Sequence, residues 1–369
     1  AQARRLTRMH LLVDISGHGL GHLAQAGPVI DALAARRPDL RLTVRSAIPR
    51  GRLARRIGVP FAHVDAPSDF GFVMHNAVDI DLDASGARYR ELHADWPGRV
   101  AGEAAWLRDQ GVDAVLANVA YLPLAGAAAA GIPAFALSSL NWADLFAHYF
   151  RDAGWAAPIH AEMRAAYAGA RAFLHLAPGL PMADLANGIA IGPVARVGHR
   201  DREPLARVLG LDPTARWLLL AMGGMPFPLP VADWPLRPDW TWLLPDVAGD
   251  VPARPDVRVV DSAAVDFSDL LASADAVVTK PGYGTFVEAA CAGVPILYVE
   301  RDDWPETPHF AAWLGRHARA AAVSREQIRS GALVEALEGL WRRPAPPLPR
   351  ASGVEEAACW LAGHLPAAA

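Results

Sequence analysis

The chain has 369 residues, 52% hydrophobic and 20% charged, with a net charge of −4. That length suits two α/β domains better than one, and no apolar run reaches the length of about 18 residues that spans a bilayer. The charge gives no support to broad nucleic-acid binding, and two cysteines, Cys291 and Cys359, are too few for a disulfide framework or a zinc cluster, so a reducing, cytoplasmic setting is expected. Residues 1–8 carry Arg4, Arg5 and Arg8 without an apolar core and do not read as a secretion signal.

Residues 10–15 form an apolar strand that runs into Ser16-Gly17-His18-Gly19-Leu20-Gly21-His22, followed by a helix over 23–35. Strand, glycine turn and helix suggest a dinucleotide fold, but His22 stands where the last glycine of G-x-G-x-x-G belongs. The next strand, 41–44, leads into Arg45 and Ser46 where a ribose-binding acid would stand, so NAD is not expected. The turn instead offers two histidines at the carboxyl edge of the first strand, where α/β proteins place ligands. An imidazole there takes a proton from a hydroxyl or stabilises a leaving anion; the plainer alternative is two loop histidines bonded to backbone. A metal on His18 and His22 lacks a third ligand.

Between 36 and 56 eight arginines face one acid, Asp39. They either solvate helix ends, the preferred reading, or form a patch for an anionic acceptor or for peripheral contact with a membrane. Residues 61–95 are loop-rich and hold Asp69-Phe70-Gly71-Phe72; loops of this length usually carry function. A helix over 87–110, a strand at 114–117, a helix at 124–130 and a strand at 134–137 add further α/β repeats. Ser138-Ser139-Leu140-Asn141-Trp142 follows that strand, with Ser139 read as a helix cap and Asn141 and Asp144 within reach of a ligand. Helices at 142–151 and 159–168, a strand at 172–176 and a last strand near 189–194 finish the first lobe.

Residues 195–214, rich in Arg, Asp, Pro and Gly, read as a linker. Residues 217–221 then form an apolar strand ending in Met222-Gly223-Gly224-Met225, a glycine pair suited to an anion. Trp234, Trp240 and Trp242 are assigned to packing. A strand at 258–260 precedes Phe267 and a short helix at 268–272. Residues 276–279 are β-branched and apolar, as in a strand buried on both faces. Lys280, the only lysine in the chain, then opens Pro281-Gly282-Tyr283-Gly284, and a helix starts at Thr285. A glycine turn feeding a helix N-terminus presents unpaired N–H groups and attracts phosphate. Glu288, one turn further on, is placed to accept hydroxyl hydrogen bonds from a ribose. A strand at 296–299 and helices at 308–317, 325–340 and 353–363 complete the chain.

The run Lys280, Gly282, Tyr283, Gly284, Thr285, Glu288, Ala289, followed by Arg301, Asp302, Glu306 and Pro308, resembles the GT-B glycosyltransferases, specifically their MurG-like branch and the glycosyltransferase-like N-terminal region of plant arabinokinases. The S-G-H-G-L-G-H turn is similar to the G-H-G-x-G-H of the same group. The resemblance implies two Rossmann-like parallel-sheet lobes with a cleft between them and a C-terminal helix that returns to the first lobe. It implies that Gly284 and Thr285 touch the diphosphate, with Gly223 and Gly224 opposite; that Glu288 binds the ribose; that Phe267 lies at the base; and that Glu306 orients the sugar. His22, with His18, would face the reacting centre, and Asp69, Phe70, Asn141 and Asp144 would lie on the acceptor side.

The expected organisation is therefore 1–197 as the acceptor-side lobe, 198–214 as linker, 215–345 as the nucleotide-sugar lobe and 346–369 as the returning helix. The expected function is metal-independent transfer of a sugar from a nucleotide-diphosphate sugar, UDP-linked by preference, to an acceptor hydroxyl, with no cofactor beyond that co-substrate. Two alternatives stand beside it: a sugar-nucleotide 2-epimerase or hydrolase on the same fold, and a non-catalytic nucleotide-sugar-binding protein. No kinase-type Gly-rich motif follows residue 310, so arabinokinase activity itself is not expected.

Overall fold

The structure is a computed structural model that describes residues 8–223, 229–245 and 254–367. The chain divides into two units, the first made of residues 1–75, 79–194 and 352–369, the second of 76–78 and 195–351.

The first unit runs β1 (Met9–Ile15), α1 (Gly21–Arg36), β2 (Leu40–Arg45), α2 (Arg50–Arg56), β3 (Ala62–Val64), α3 (Leu82–His93), α4 (Trp96–Asp109), β4 (Ala114–Asn118), α5 (Leu122–Ala130), β5 (Ala134–Ser138), α6 (Trp142–Phe150), α7 (Ala156–Ala168), β6 (Ala172–Leu176) and β7 (Gly188–Ile191). Its seven strands lie in the order β3-β2-β1-β4-β5-β6-β7, and every pairing is parallel. β1, β4 and β5 are buried along their whole length, which explains why they read as continuous apolar runs without alternation. The order of winding reverses between β1 and β4, the point where such sheets open a crevice at their carboxyl ends.

Three readings of this unit need correction. The helix expected over 87–110 is two helices, because Asp95 accepts a hydrogen bond from the Gly98 amide at 3.1 Å and starts a new helix with Pro97 in its first turn. The loop-rich stretch 61–95 contains β3 and the whole of α3. Asn141, not Ser139, caps α6, accepting from the Asp144 amide at 2.8 Å. Of the arginine-rich stretch, Arg36, Arg55 and Arg56 stand in the last turns of α1 and α2, as the preferred reading has it, while Arg37 pairs with Asp39 at 2.7 Å and buried Arg45 with Asp14 at 2.5 Å and Glu103 at 2.6 Å.

The second unit runs α8 (Arg202–Leu209), β8 (Arg216–Ala221), β9 (Trp240–Pro245), β10 (Val257–Val260), α9 (Phe267–Ser273), β11 (Ala276–Thr279), α10 (Tyr283–Ala292), β12 (Ile296–Val299), α11 (Thr307–His317), β13 (Ala320–Val323), α12 (Arg325–Ser330) and α13 (Val334–Arg342). Its parallel sheet has the order β10-β9-β8-β11-β12-β13, and the winding reverses between β8 and β11. The stretch expected as a linker is not one: α8 occupies it, and Arg202 fixes it by bonding Asp275 at 2.9 Å and stacking 4.2 Å over Trp217. The tryptophans do pack, and Trp240 and Trp242 do so on β9, a strand not expected from the sequence although aromatic residues favour strands. The helix expected over 325–340 is two, α12 and α13, and α10 begins two residues earlier than expected, at Tyr283. Among the described residues no helix is long and apolar enough to cross a membrane.

The final helix, α14 (Gly353–His364), belongs to the first unit and packs against α1. Its start is fixed by the Gly353 amide, which donates to the Pro193 carbonyl at 2.9 Å, and by Glu356, which accepts from the Gly192 amide at 2.7 Å. A Cβ at Gly353 would lie 2.0 Å from the Gly192 carbonyl oxygen, so only glycine admits this approach. Gly353→Ala should therefore cost about 1–3 kcal/mol through overpacking; calorimetric unfolding of the two proteins measures it, and an unchanged Tm contradicts the account.

Candidate functional site

Both glycine turns singled out in the sequence sit at the carboxyl ends of the strands that flank a winding reversal. In the first unit β1 ends beside β4, and the Ser16 amide donates to the Asn118 carbonyl at 2.7 Å. The loop then turns through Gly19, whose φ of +88° lies in the left-handed region, and enters α1 with His22 in the first turn. His22 is buried, and its Nδ1 lies 2.8 Å from Oδ1 of Asn118. The Asn118 amide nitrogen donates to Oε1 of Gln25 at 3.1 Å, and Gln25 Nε2 donates to the Ser139 hydroxyl at 2.9 Å. An amide oxygen only accepts, so Nδ1 of His22 carries the hydrogen and Nε2 holds the lone pair in the neutral ring. That is the arrangement a base requires.

His18 and His22 share a neighbour, Trp142, whose ring lies edge-on to both at centroid distances of 5.2 Å and 5.6 Å. Its indole N–H donates to Asp69 Oδ2 at 2.7 Å, while Asp69 Oδ1 accepts from the Ser16 hydroxyl at 2.9 Å. Desolvation, reinforced by the charge of Asp14, pushes the Asp69 carboxyl up to about 7. Gly71 allows the 69–72 turn to close over this group: its φ is +60°, and a Cβ would meet the His18 ring at 2.8 Å and Trp142 at 2.9 Å. Phe70 lies tilted against Tyr89, with ring centroids 4.7 Å apart, and carries the Arg88 guanidinium 4.5 Å from its own ring centroid. Asn141 and Asp144 are committed to one another, since the Asn141 amide both caps α6 and donates to the Asp144 carboxylate at 2.8 Å. The structure thus gathers His18, His22, Asp69 and Phe70 around one turn, and it occupies Asn141 and Asp144 with capping.

In the second unit β8 and β11 are neighbours, tied at their ends by the Thr279 hydroxyl, which donates to the Ala221 carbonyl at 2.6 Å. Lys280 follows. A Cβ on Gly223 would lie 3.9 Å from the Lys280 ammonium, and a Cβ on Gly282 3.7 Å from it, so the nitrogen sits between the two glycine turns. Gly224 lies outside the described residues. Gly282 precedes α10, whose first turn has no capping side chain; the early N–H groups of a helix have no partner within it, and Gly284 and Thr285 supply two of them. Glu288 is on the buried side of α10 at 2% exposure. Phe267 is half-buried at the start of α9, which packs beside α10.

Burial places Arg301, Trp304 and Glu306 together. The Arg301 guanidinium lies 4.0 Å from the Trp304 ring centroid, and the Trp304 indole donates to Glu306 Oε2 at 3.0 Å. Desolvation and then the charge of Arg301 lower Lys280 to about 8, against an opposing pull from Glu306. Asn118, Gln25 and Trp304 were not anticipated as site residues. Each is an uncharged group whose significance lies in a partner distant in sequence or in its own packing, and no local motif announces it.

No family model matches the chain. It is 24% identical over 336 residues to the L-arabinokinase of Arabidopsis thaliana, covering 88% of this chain and 31% of that protein, so the chain spans less than a third of the length of this curated relative. Among solved structures it is similar to the glycotransferase of kitacinnamycin, with a TM-score of 0.59 and 20% identity over 97% of this chain and 100% of the other. It is also similar to a putative UDP-N-acetylglucosamine 2-epimerase from Listeria monocytogenes, with a TM-score of 0.59 and 13% identity over 98% of each chain. The fold is GT-B.

The position of Lys280 has a direct test, because it is the only lysine. Reductive methylation with labelled formaldehyde gives one side-chain resonance, which should titrate near 8 instead of the ordinary 10.5. Over that window the unfolded chain holds a proton that the folded protein does not, so this residue makes stability rise with pH. Relative to Lys280→Met, the unliganded protein should gain stability between pH 8 and 10.5; a resonance midpoint above 10 contradicts the assignment.

Proposed function

We propose that the chain is a glycosyltransferase that moves a sugar from a nucleotide-diphosphate sugar, by preference a UDP-sugar, to an acceptor hydroxyl. The observation that carries this reading is the placement of Lys280 between Gly223 and Gly282 at the uncapped start of α10. Main-chain N–H groups, the positive end of a helix and a cation converge there, and that combination suits a diphosphate. Metal-independent chemistry is part of the proposal: Lys280, with Arg301 contributing to the local field, would neutralise the leaving group. A phosphate beside Lys280 would raise its proton affinity again, since an opposite charge favours the ammonium.

In the proposed reaction the acceptor oxygen bonds to the anomeric carbon, and the bond from that carbon to the phosphate oxygen breaks. The electron pair leaves on the diphosphate, and the acceptor proton passes to Nε2 of His22. Glu306, steadied by Trp304, would orient the sugar hydroxyls. Glu288 would accept from the ribose, which requires its buried side chain to become accessible when nucleotide enters. Asp69 and Phe70 would border the acceptor.

A second reading is kept because the similarity to the putative 2-epimerase is of the same extent as that to the glycotransferase. An epimerase or hydrolase would turn over UDP-N-acetylglucosamine with no acceptor present. A non-catalytic sensor would bind nucleotide and turn over nothing, even with a full acceptor panel.

A thermal-shift series with UDP, GDP, dTDP and ADP, followed by sugar nucleotides of the best base, tests the donor site. Glu288→Ala should abolish most of the ligand-induced shift, and an undiminished shift removes this carboxylate from the site. His22→Ala should bind nucleotide as before while transfer falls by roughly 10²–10⁴, the usual contribution of general-base catalysis; full activity clears this histidine of a chemical role.

A further inference from the structure

α1 carries His22 and Gln25 three residues apart, on one face of the helix, and both are buried. Gln25 touches no ring nitrogen of His22 in any described hydrogen bond; it meets Asn118, the last residue of β4, which in turn meets His22. Gln25 in turn donates to the Ser139 hydroxyl, just beyond β5. Four side chains from three neighbouring segments therefore form one continuous line of hydrogen bonds, His22 to Asn118 to Gln25 to Ser139.

Such a line has a direction. An amide has a donor end and an acceptor end, so each residue dictates how the next must face. At its end the Ser139 hydroxyl accepts from Gln25. Between the two amides themselves a second direction is conceivable, in which Gln25 and Asn118 turn together. In the observed direction His22 has Nδ1–H and a lone pair on Nε2. In the reversed direction Asn118 would donate to Nδ1, and the proton would reside on Nε2, leaving no lone pair there. An imidazolium has N–H at both positions and suits only the observed direction. A base held this way accepts a proton without any amide having to turn.

We propose that Gln25 is a positioning residue for His22: by offering its carbonyl oxygen to Asn118, it holds the Asn118 oxygen towards the ring and keeps Nε2 as the proton-accepting nitrogen. The consequence for turnover rests on the reading of His22 as the base; the control of the tautomer does not.

The experiment follows the ring directly, by imidazole nitrogen NMR of selectively labelled protein, beside steady-state transfer kinetics. Gln25→Met removes the acceptor while keeping the length of the side chain. Asn118 is then free to turn, and the His22 signals should change from a single Nδ1–H form to a mixture or to the Nε2–H form. Transfer should lose roughly tenfold in kcat with little change in KM, a part of what general-base catalysis contributes, and the acidic limb of its pH profile should move. Gln25→Glu keeps an acceptor facing Asn118, so it should restore the single form. A folded Gln25→Met protein with an unchanged His22 tautomer overturns the proposal. Should that variant not fold, Gln25→Glu decides: retention of Nδ1–H sustains the proposal, and a protonated Nε2 in the neutral ring overturns it. If no acceptor is ever glycosylated, the transfer reading fails, while the nitrogen spectra still judge the role of Gln25.

Discussion

The reversal of winding in each parallel sheet is the constraint from which the rest follows. At β1 and β4, and again at β8 and β11, the two connections leave their strands towards opposite faces. The chain leaves the sheet at those carboxyl ends, and the side chains there are the ones a ligand can meet. Both glycine turns, the start of α1 and the start of α10 lie at these points. Chemistry-bearing residues placed anywhere else on the sheets would be buried in packing or lost among solvated helix faces.

The two units use this common geometry for opposite electrostatic purposes. Around Lys280 the second unit brings an ammonium and a guanidinium into a poorly solvated region, so strongly that the lysine proton is weakened. Cations kept at that cost are suited to an anionic ligand, which restores what burial removed. Around His22 the first unit places neutral amides, and the nearby acid, Asp69, is itself driven by desolvation towards the uncharged form near neutral pH. The first arrangement holds charge, and the second governs where a proton sits.

Supporting contacts are tight in both places. Gly71 permits its turn to lie against His18 and Trp142, so the histidine turn is covered by a backbone that no larger residue could replace. Arg301, Trp304 and Glu306 hold one another through a cation over an indole and an indole N–H on a carboxylate. Groups fixed in this way do not have to be reoriented when a ligand arrives, and preorganisation of that kind is what electrostatic stabilisation depends on.

Much was legible in the sequence because its signals are local. The strands at 276–279 and 296–299 were read with their true bounds, since buried parallel strands are short apolar runs closed by glycine or proline. The two glycine turns were equally plain. What the sequence misplaced was decided by competition between neighbours: Asp95 divided a helix, Asn141 took the cap expected of Ser139, and α8 filled a stretch whose composition looked like a linker. The line from His22 to Ser139 could not be read at all. Asn118 is 96 positions from His22, and Ser139 is 114 from Gln25. The sequence by itself determined which residues could start a helix, end a strand or carry a proton. Only the tertiary structure decided which of them meet, because hydrogen bonds between buried amides act over a few ångströms, and chain distance says nothing of that separation until the sheet has formed.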